Sequence, residues 1–419
     1  MNDSNQPVPE KEVLSVFSGE SGENPFPLFA KIRATGAVIP IPFPMGGTDQ
    51  QTWMVTRMEE AMQVLKDHVR FTVDRRYINS NSNIEQNPTG DTGPSASTNF
   101  LTESINSIDE PDHRRLRTLV SKAFTPRYME SLRPRVQEIA DELLDQVQEK
   151  GEMDLVRDYA YPLPINVICE MLGVPQADRS KIHAWSSAIA HGLGLGRQAP
   201  EVEEHLRAFG EYIVQLVNDK RRHPADDLIS QLVAIEEEGD RLGEAELLSM
   251  IKLLIFAGHE TTSNLVSTGT LMLLDQPDQL EKLKADLSLV PSAIEELLRF
   301  NGPSTIAGPR FATEDIELAG QQIKKGDMVI LVLKSANRDE RQFSDPEELD
   351  ITRKINRHLA FGYGIHMCLG APLARVEADI AFTTLLRRMP NLRLNVPREN
   401  VTWNFMLSSQ GLASLPVAF

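Results

Sequence analysis

Residues 361–370 read Phe361-Gly-Tyr-Gly-Ile-His-Met-Cys-Leu-Gly370. A cysteine stands here with Gly362 and Gly364 ahead of it and Gly370 just behind. Glycine admits positive φ and lets the backbone approach a ligand closely. Such a loop can aim several backbone N–H groups at one sulfur, which stabilises thiolate over thiol and tunes a bound metal's potential. A helix expected from Gly370 or Ala371 adds the positive end of its dipole. Taken alone, a cysteine in a glycine-rich loop is more often an inert surface residue. The rest of the chain has to decide.

The block is similar, position for position, to the haem-binding signature of the cytochromes P-450: Phe, Gly, any, Gly, any, His, any, Cys, any, Gly. It continues as Ala371-Pro-Leu-Ala-Arg-Val-Glu377, which is typical of the bacterial members. The resemblance implies that Cys368 is the thiolate ligand of a haem b iron, in a loop that also binds the cofactor through Phe361, Gly362 and Gly370. A thiolate there pushes electron density onto iron and favours O–O cleavage. The fold implied is mainly α with a smaller β-rich portion, the haem lying between a long distal helix and the cysteine loop with its proximal helix.

Upstream, an apolar helical stretch carries Ala257-Gly-His-Glu-Thr-Thr262. Polar Glu260 and Thr261 inside such a helix are costly if buried without a task. Thr can bond back to an earlier carbonyl and bend the helix, and Gly258 removes a side chain. By themselves these residues read equally as a kink with a solvated Glu. The resemblance implies more: Ala257 and Gly258 line the oxygen site, Glu260 feeds protons, and Thr261 holds dioxygen or its water. It also implies a buried structural triad of Glu296, Arg299 and Arg353, although Glu296 and Arg299 alone read as an ordinary i,i+3 pair. His113, Arg117, Arg310 and His358 stand at positions matching the family's haem-propionate contacts. Arginine can clamp a carboxylate bidentately, and histidine offers one directed hydrogen bond. Family analogy puts Leu253, Phe256, Ile306, Ala307, Leu407 and Ser408 against the substrate, with residues 79–102, rich in Asn, Ser, Gly, Thr and Pro, as part of a lid. One departure stands out. Where many bacterial relatives have Arg-Gly before the last Leu-Pro-Val, this chain has Gln410-Gly411.

Bulk properties agree with a globular enzyme. The 419 residues carry 43 basic and 60 acidic side chains, a formal charge of −17, which disfavours nucleic acid or anionic membrane as the main partner. Residues 1–13 lack the features of a signal peptide, and no charge-free apolar run reaches the about 18 residues of a membrane span. A cytoplasmic protein is expected, with residues 1–20 a flexible N-terminus. Two cysteines in 419 residues argue against a secreted disulfide framework, and the same count excludes a structural zinc site built on three or four thiolates. Cys169, in the apolar run Leu163-Pro-Ile-Asn-Val-Ile-Cys169, reads as a small buried hydrophobe.

Apolar periodicity predicts helices over residues 134–149, 201–222, 244–274 and 371–388, the third running through the core. Short β-like runs follow at 308–312, 316–318 and 328–332, with Gly320 and Gly326 as turn residues. His191-Gly-Leu-Gly-Leu-Gly196 lacks the spacing of a dinucleotide loop and reads as a flexible loop. No linker divides residues 1–419, so a single catalytic domain without a fused reductase is expected.

The family resemblance, spanning residues 26–417 and closest to the macrolide- and polyketide-oxidising branch, implies a monooxygenase. One oxygen atom from O₂ would enter a C–H or C=C bond of an apolar small molecule of macrolide, polyketide, terpenoid, steroid or fatty-acid type. Electrons would come from NAD(P)H through a separate ferredoxin or flavodoxin and its reductase, docking on a basic patch of Arg114, Arg115 and Arg127. Three rivals make different predictions. A peroxide-driven peroxygenase has no use for the Glu260–Thr261 pair. A non-catalytic haem protein that binds gas or ligand yields a haem spectrum without product. A cysteine hydrolase needs a base, and His366, two residues from Cys368, is poorly placed for it.

Overall fold

In this computed structural model the structure describes residues 9, 12–15, 24–42, 50–74, 104–194, 200–237, 242–354, 357–405 and 408–419. Residues 79–102, Leu407 and most of residues 1–20 lie outside them. The chain forms two compact units built from interleaved stretches. One takes Met1–Pro88, Glu295–Cys368 and Trp403–Gln410; the other takes Thr89–Ile294, Leu369–Thr402 and Gly411–Phe419.

The second unit is a helical core. Its long helix, Glu244–Leu274, is buried without a break from Thr262 to Leu273. A helix buried all round must run through a core rather than over it. It packs on the helices Pro162–Met171 and Ala371–Arg388, and the latter also packs on Arg133–Asp145. Tyr159, in a π-helical turn before Pro162, is fully buried and donates its hydroxyl hydrogen bond to the Ala381 carbonyl at 3.0 Å. The C-terminal strand Pro416–Ala418 lies antiparallel between Glu152–Asp154 and Arg393–Leu394. Cys169 is buried on Pro162–Met171, and desolvation raises its thiol to about 12, so it stays an inert thiol.

Three of the helices expected from periodicity match within a residue. The fourth ends at Asp145, with a 3₁₀ turn at Gln148–Lys150 following it. The run from His191 is different. Its first four residues close the helix Arg179–Gly194, which packs against Pro200–Arg222. Tertiary packing there outweighs the cost of about 1 kcal/mol that each glycine imposes on a helix.

The first unit is built around a five-stranded sheet in the order Val38–Ile41, Thr52–Val55, Met328–Leu331, Arg310–Ala312, Phe71–Thr72. Met328–Leu331 is wholly apolar and buried at every residue, as a central strand covered on both faces requires. It runs parallel to Thr52–Val55 and antiparallel to Arg310–Ala312. Asp327 opens that strand, accepting from Trp53 Nε1 at 2.8 Å and from the backbone of Lys324 at 2.9 Å. A separate hairpin joins Ile316–Leu318 to Gln321–Ile323, and Gly320 and Gly326 both hold positive φ at turns. Arg338 lies between two aromatic rings, its guanidinium carbon 3.4 Å from the Phe26 centroid and 3.8 Å from that of Phe300. Among the described residues no helix is long and apolar enough to cross a membrane.

Candidate active site

Cys368 ends the first unit's contribution to the cysteine loop and is exposed, in contrast to buried Cys169. The loop closes on itself. Gly362 N–H donates to Leu359 O at 2.9 Å, Met367 N–H to Gly364 O at 3.2 Å, and Cys368 N–H to Phe361 O at 2.9 Å. Gly364, at φ +77°, lies so close to the helix Met58–Lys66 that an added Cβ would be 2.3 Å from the Leu65 carbonyl oxygen. No other residue fits there. Asn337 Oδ1 accepts from Leu359 N–H at 2.7 Å and anchors the entry to the loop. Phe361 is half-buried, its ring centroid 6.0 Å from that of His358. Gly370, two residues beyond Cys368, caps the helix Ala371–Arg388 and accepts from Ala374 N–H at 2.9 Å.

The same unit brings Glu296, Arg299 and Arg353 together. Arg299 Nε is 2.7 Å from Glu296 Oε2 and its Nη2 is 2.8 Å from Oε1, with both side chains fully buried. Arg353 Nε reaches Glu296 Oε1 at 3.2 Å. Further guanidinium donors go to the carbonyls of Asn337, Pro346, Glu348, Ser344 and Asp345. The three side chains thereby fasten the helix Val290–Asn301 to the segment that precedes the cysteine loop.

Arg310 is buried, with Nη1 donating to Gly308 O at 3.0 Å. His358 is hydrogen-bonded through both ring nitrogens. Its Nδ1 accepts from Ala360 N–H at 3.1 Å, so in the neutral ring Nε2 carries the proton and gives it to Glu295 at 3.0 Å. The donor expected for a propionate is already used, by a residue 63 positions earlier that no local pattern marks. Ile306 is buried in a core cluster with Phe26, Phe311, Met328 and Val332, and its backbone forms an isolated antiparallel bridge with Val332. Ala307 is half-buried and Ser408 exposed.

In the second unit, Leu253 and Phe256 are half-buried on the long helix, three residues apart and so on one face. Ala257 is exposed on that helix. Gly258 serves packing instead. The place a Cβ would take lies 3.4 Å from Ile168 Cδ1, so its smallness admits the neighbouring helix rather than opening a groove. Thr261 Oγ1 donates back to Ala257 O at 3.1 Å, while Glu260 is half-buried. His113 is buried and Arg117 half-buried, one turn apart on Asp112–Ala123.

Two features here escape a reading of motifs. His259 Nδ1 donates to Ile255 O at 2.7 Å, so Nε2 accepts from the Tyr161 hydroxyl at 3.1 Å. Desolvation lowers the ring to about 4, which keeps it neutral. Glu377 is also buried, on Ala371–Arg388, and desolvation pushes its carboxyl well above the usual carboxylate range. Its signal in the sequence is an acid on the apolar face marked by Leu373, Val376 and Ile380. Among the described residues there is no group of three or more His, Cys, Asp or Glu that could hold a metal ion, so a lone thiolate is the donor to weigh.

Comparison with known proteins bears on this geometry. The cytochrome P-450 family profile matches residues 194–416. A cytochrome P-450 of Priestia megaterium is 47% identical over 369 residues, covering 88% of this chain and 89% of its own length. The polyketide biosynthesis cytochrome P-450 PksS of Bacillus subtilis is 40% identical over 409 residues, covering 98% and 99%. Its solved structure superposes with a TM-score of 0.85, covering 95% of this chain and 97% of that one. A vitamin D(3) 25-hydroxylase of Pseudonocardia autotrophica is 39% identical over 407 residues, covering 97% and 96%.

Proposed function

The chain belongs to the cytochrome P-450 family of monooxygenases, and from that premise we propose that it oxidises an apolar small molecule of polyketide or macrolide kind, with Cys368 as the thiolate ligand of a haem b. The observation that carries this reading is the contrast between its two cysteines. Cys169 is sealed in an apolar core, whereas Cys368 is exposed at the end of a loop shaped by two positive-φ glycines. A soft thiolate suits haem iron better than a hard cation, and among the described residues no cluster of three or more His, Cys, Asp or Glu rivals it. When bound, the haem supplies a redox-active iron whose reactivity the thiolate tunes.

The chain's own residues divide the remaining work. Arg310, His113 and Arg117 are the cations and donors for the two propionates; His358 would join them only by releasing Glu295. Glu260 would supply protons to the reacting oxygen, and Thr261 Oγ1, whose hydrogen goes to Ala257 O, keeps its lone pairs to accept a hydrogen bond from water. Leu253, Phe256, Ala307 and Ser408 would bear on the substrate, mostly by apolar contact. Ile306 is left out, since its side chain lies in the core. One relative is named for polyketide biosynthesis and another for 25-hydroxylation of vitamin D(3).

Reducing equivalents would come from NAD(P)H through a ferredoxin or flavodoxin and its reductase in the cytoplasm. Of the arginines expected to receive that partner, Arg114 pairs with Glu110 and Arg115 with Glu246, while Arg127 is exposed. An acidic partner must therefore compete with two internal carboxylates. Charge reversal at Arg114 and Arg115 is expected to slow reduction and weaken its salt dependence.

The deciding experiment reduces the purified protein, adds carbon monoxide and records the difference spectrum. A strongly red-shifted Soret band that Cys368→Ser abolishes and Cys169→Ala preserves is the expected result. A haem-free protein after expression with haem supplied would overturn the proposal.

A further inference from the structure

Lys334 follows the central strand Met328–Leu331, on the short helix Leu333–Ala336, and its side chain is buried. Nζ lies 2.7 Å from Asn301 Oδ1 and 2.8 Å from Gln410 Oε1. No carboxylate among the described residues is within ion-pair distance of it. Burial first, and then the neighbouring Arg338 charge, pull its pKa down to about 7. The two carbonyl acceptors act the other way and favour the charged form. A methionine or leucine would fill the same space without that desolvation cost. What an apolar chain could not do is hold two acceptors at fixed distances.

Those acceptors belong to two segments that are themselves paired. Thr305 N–H donates to Ser408 O at 2.9 Å, and Gln410 N–H to Pro303 O at 3.0 Å. Ser304 and Ser409 form an antiparallel bridge between them. The Lys334 backbone N–H also reaches Thr305 O, at 3.4 Å. Gln410 supplies a neutral acceptor to the Lys334 ammonium from the second segment, as Asn301 does from the first.

We propose that Lys334 is a positioning residue for substrate selection: its ammonium pins Asn301 to Gln410 and so sets where the paired segments present Ala307 and Ser408 to an apolar substrate. The proposal rests on the monooxygenase reading above, through the assignment of those two residues to the substrate. The side chain touches no substrate itself. It acts through the height and tilt of the backbone it holds.

The test is spectroscopic and needs no turnover. Imidazole can ligate haem iron without leaning on the pocket wall, whereas clotrimazole, a bulky apolar azole, must lie against it. Both shift the Soret band of the ferric holoprotein, so one titration reads each affinity. Lys334→Met is expected to leave imidazole affinity within about twofold and to weaken clotrimazole about fivefold or more. Combining Lys334→Ala with Gln410→Arg moves a cation to the other segment, facing Asn301, and is expected to restore about half of the lost factor or more. Clotrimazole affinity equal in wild type and Lys334→Met would overturn the proposal. If Lys334→Met does not fold, Gln410→Met removes one acceptor and keeps the pairing with Asn301; an unchanged clotrimazole-to-imidazole ratio there overturns it too. A wild-type protein without the thiolate signature under carbon monoxide would instead overturn the monooxygenase reading, and this inference with it.

Discussion

Glu377 and Thr262 meet inside one core, the acid on the helix Ala371–Arg388 and the hydroxyl on Glu244–Leu274, and the Thr262 hydroxyl is the one group that favours the charged acid. Neither carboxyl oxygen makes a well-directed hydrogen bond among the described residues. A carboxylate so placed loses its hydration without full compensation, so the neutral acid is favoured.

Between the ordinary value of 4.5 and its raised value in the fold, the folded protein holds a proton the unfolded chain has released. The group's contribution to stability is complete below pH 4.5 and is lost as pH rises through the folded value. Glu377→Gln keeps the shape and cannot ionise. Melting curves from about pH 5 to about pH 9 should show the variant at least as stable as wild type and losing less with rising pH. Parallel curves would mean the carboxylate is solvated after all.

Arg299 and Glu296 form the opposite case, a buried pair in which each charge is met. Arg299→Ala leaves Glu296 with Arg353 and backbone donors only, and is expected to cost about 3–5 kcal/mol in denaturant unfolding. Arg353→Ala, removing a partly exposed partner at 3.2 Å, should cost less than half as much. A loss under about 1 kcal/mol for Arg299→Ala would show that the pair is replaceable.

In the cysteine loop, two glycines at similar φ should respond differently to alanine. At Gly362 the added Cβ meets nothing closer than 3.8 Å, so only conformational strain of about 1–2 kcal/mol applies. At Gly364 it would also collide with the Leu65 carbonyl. Gly364→Ala is expected to lose the thiolate-type carbon monoxide band, while Gly362→Ala retains most of it. Equal retention in both would show that the helix Met58–Lys66 yields.

Tyr161→Phe removes the hydroxyl donor to His259 Nε2 and leaves that nitrogen buried. The expected cost is about 1–3 kcal/mol by thermal unfolding. His259 stays neutral above about pH 4, so protonation does not compensate at neutral pH. If the pair also holds the helix that presents Glu260 and Thr261, peroxide leakage per NAD(P)H consumed should rise in the same variant.

Local chemistry was legible in the sequence. The positive-φ glycines around Cys368, the helix start at Ala371, the burial of Cys169 and the apolar run of Glu244–Leu274 each depend on neighbours a few residues away. Glycine's freedom, a 3.6-residue period and a thiol's softness are all properties of short segments. The helix boundaries followed from that periodicity, while the family resemblance rested on the signature Phe361–Gly370 itself.

Only the tertiary structure decided which polar groups lose water and who answers them. Glu295 pairs with His358 across 63 positions, and Ile306 packs among Phe26, Phe311 and Met328. Gly258 admits Ile168, and Gln410, a departure without a visible reason in the linear chain, accepts from a lysine 76 residues away. Desolvation and hydrogen-bond pairing are set by atoms that are close in space, and sequence separation carries no record of that distance.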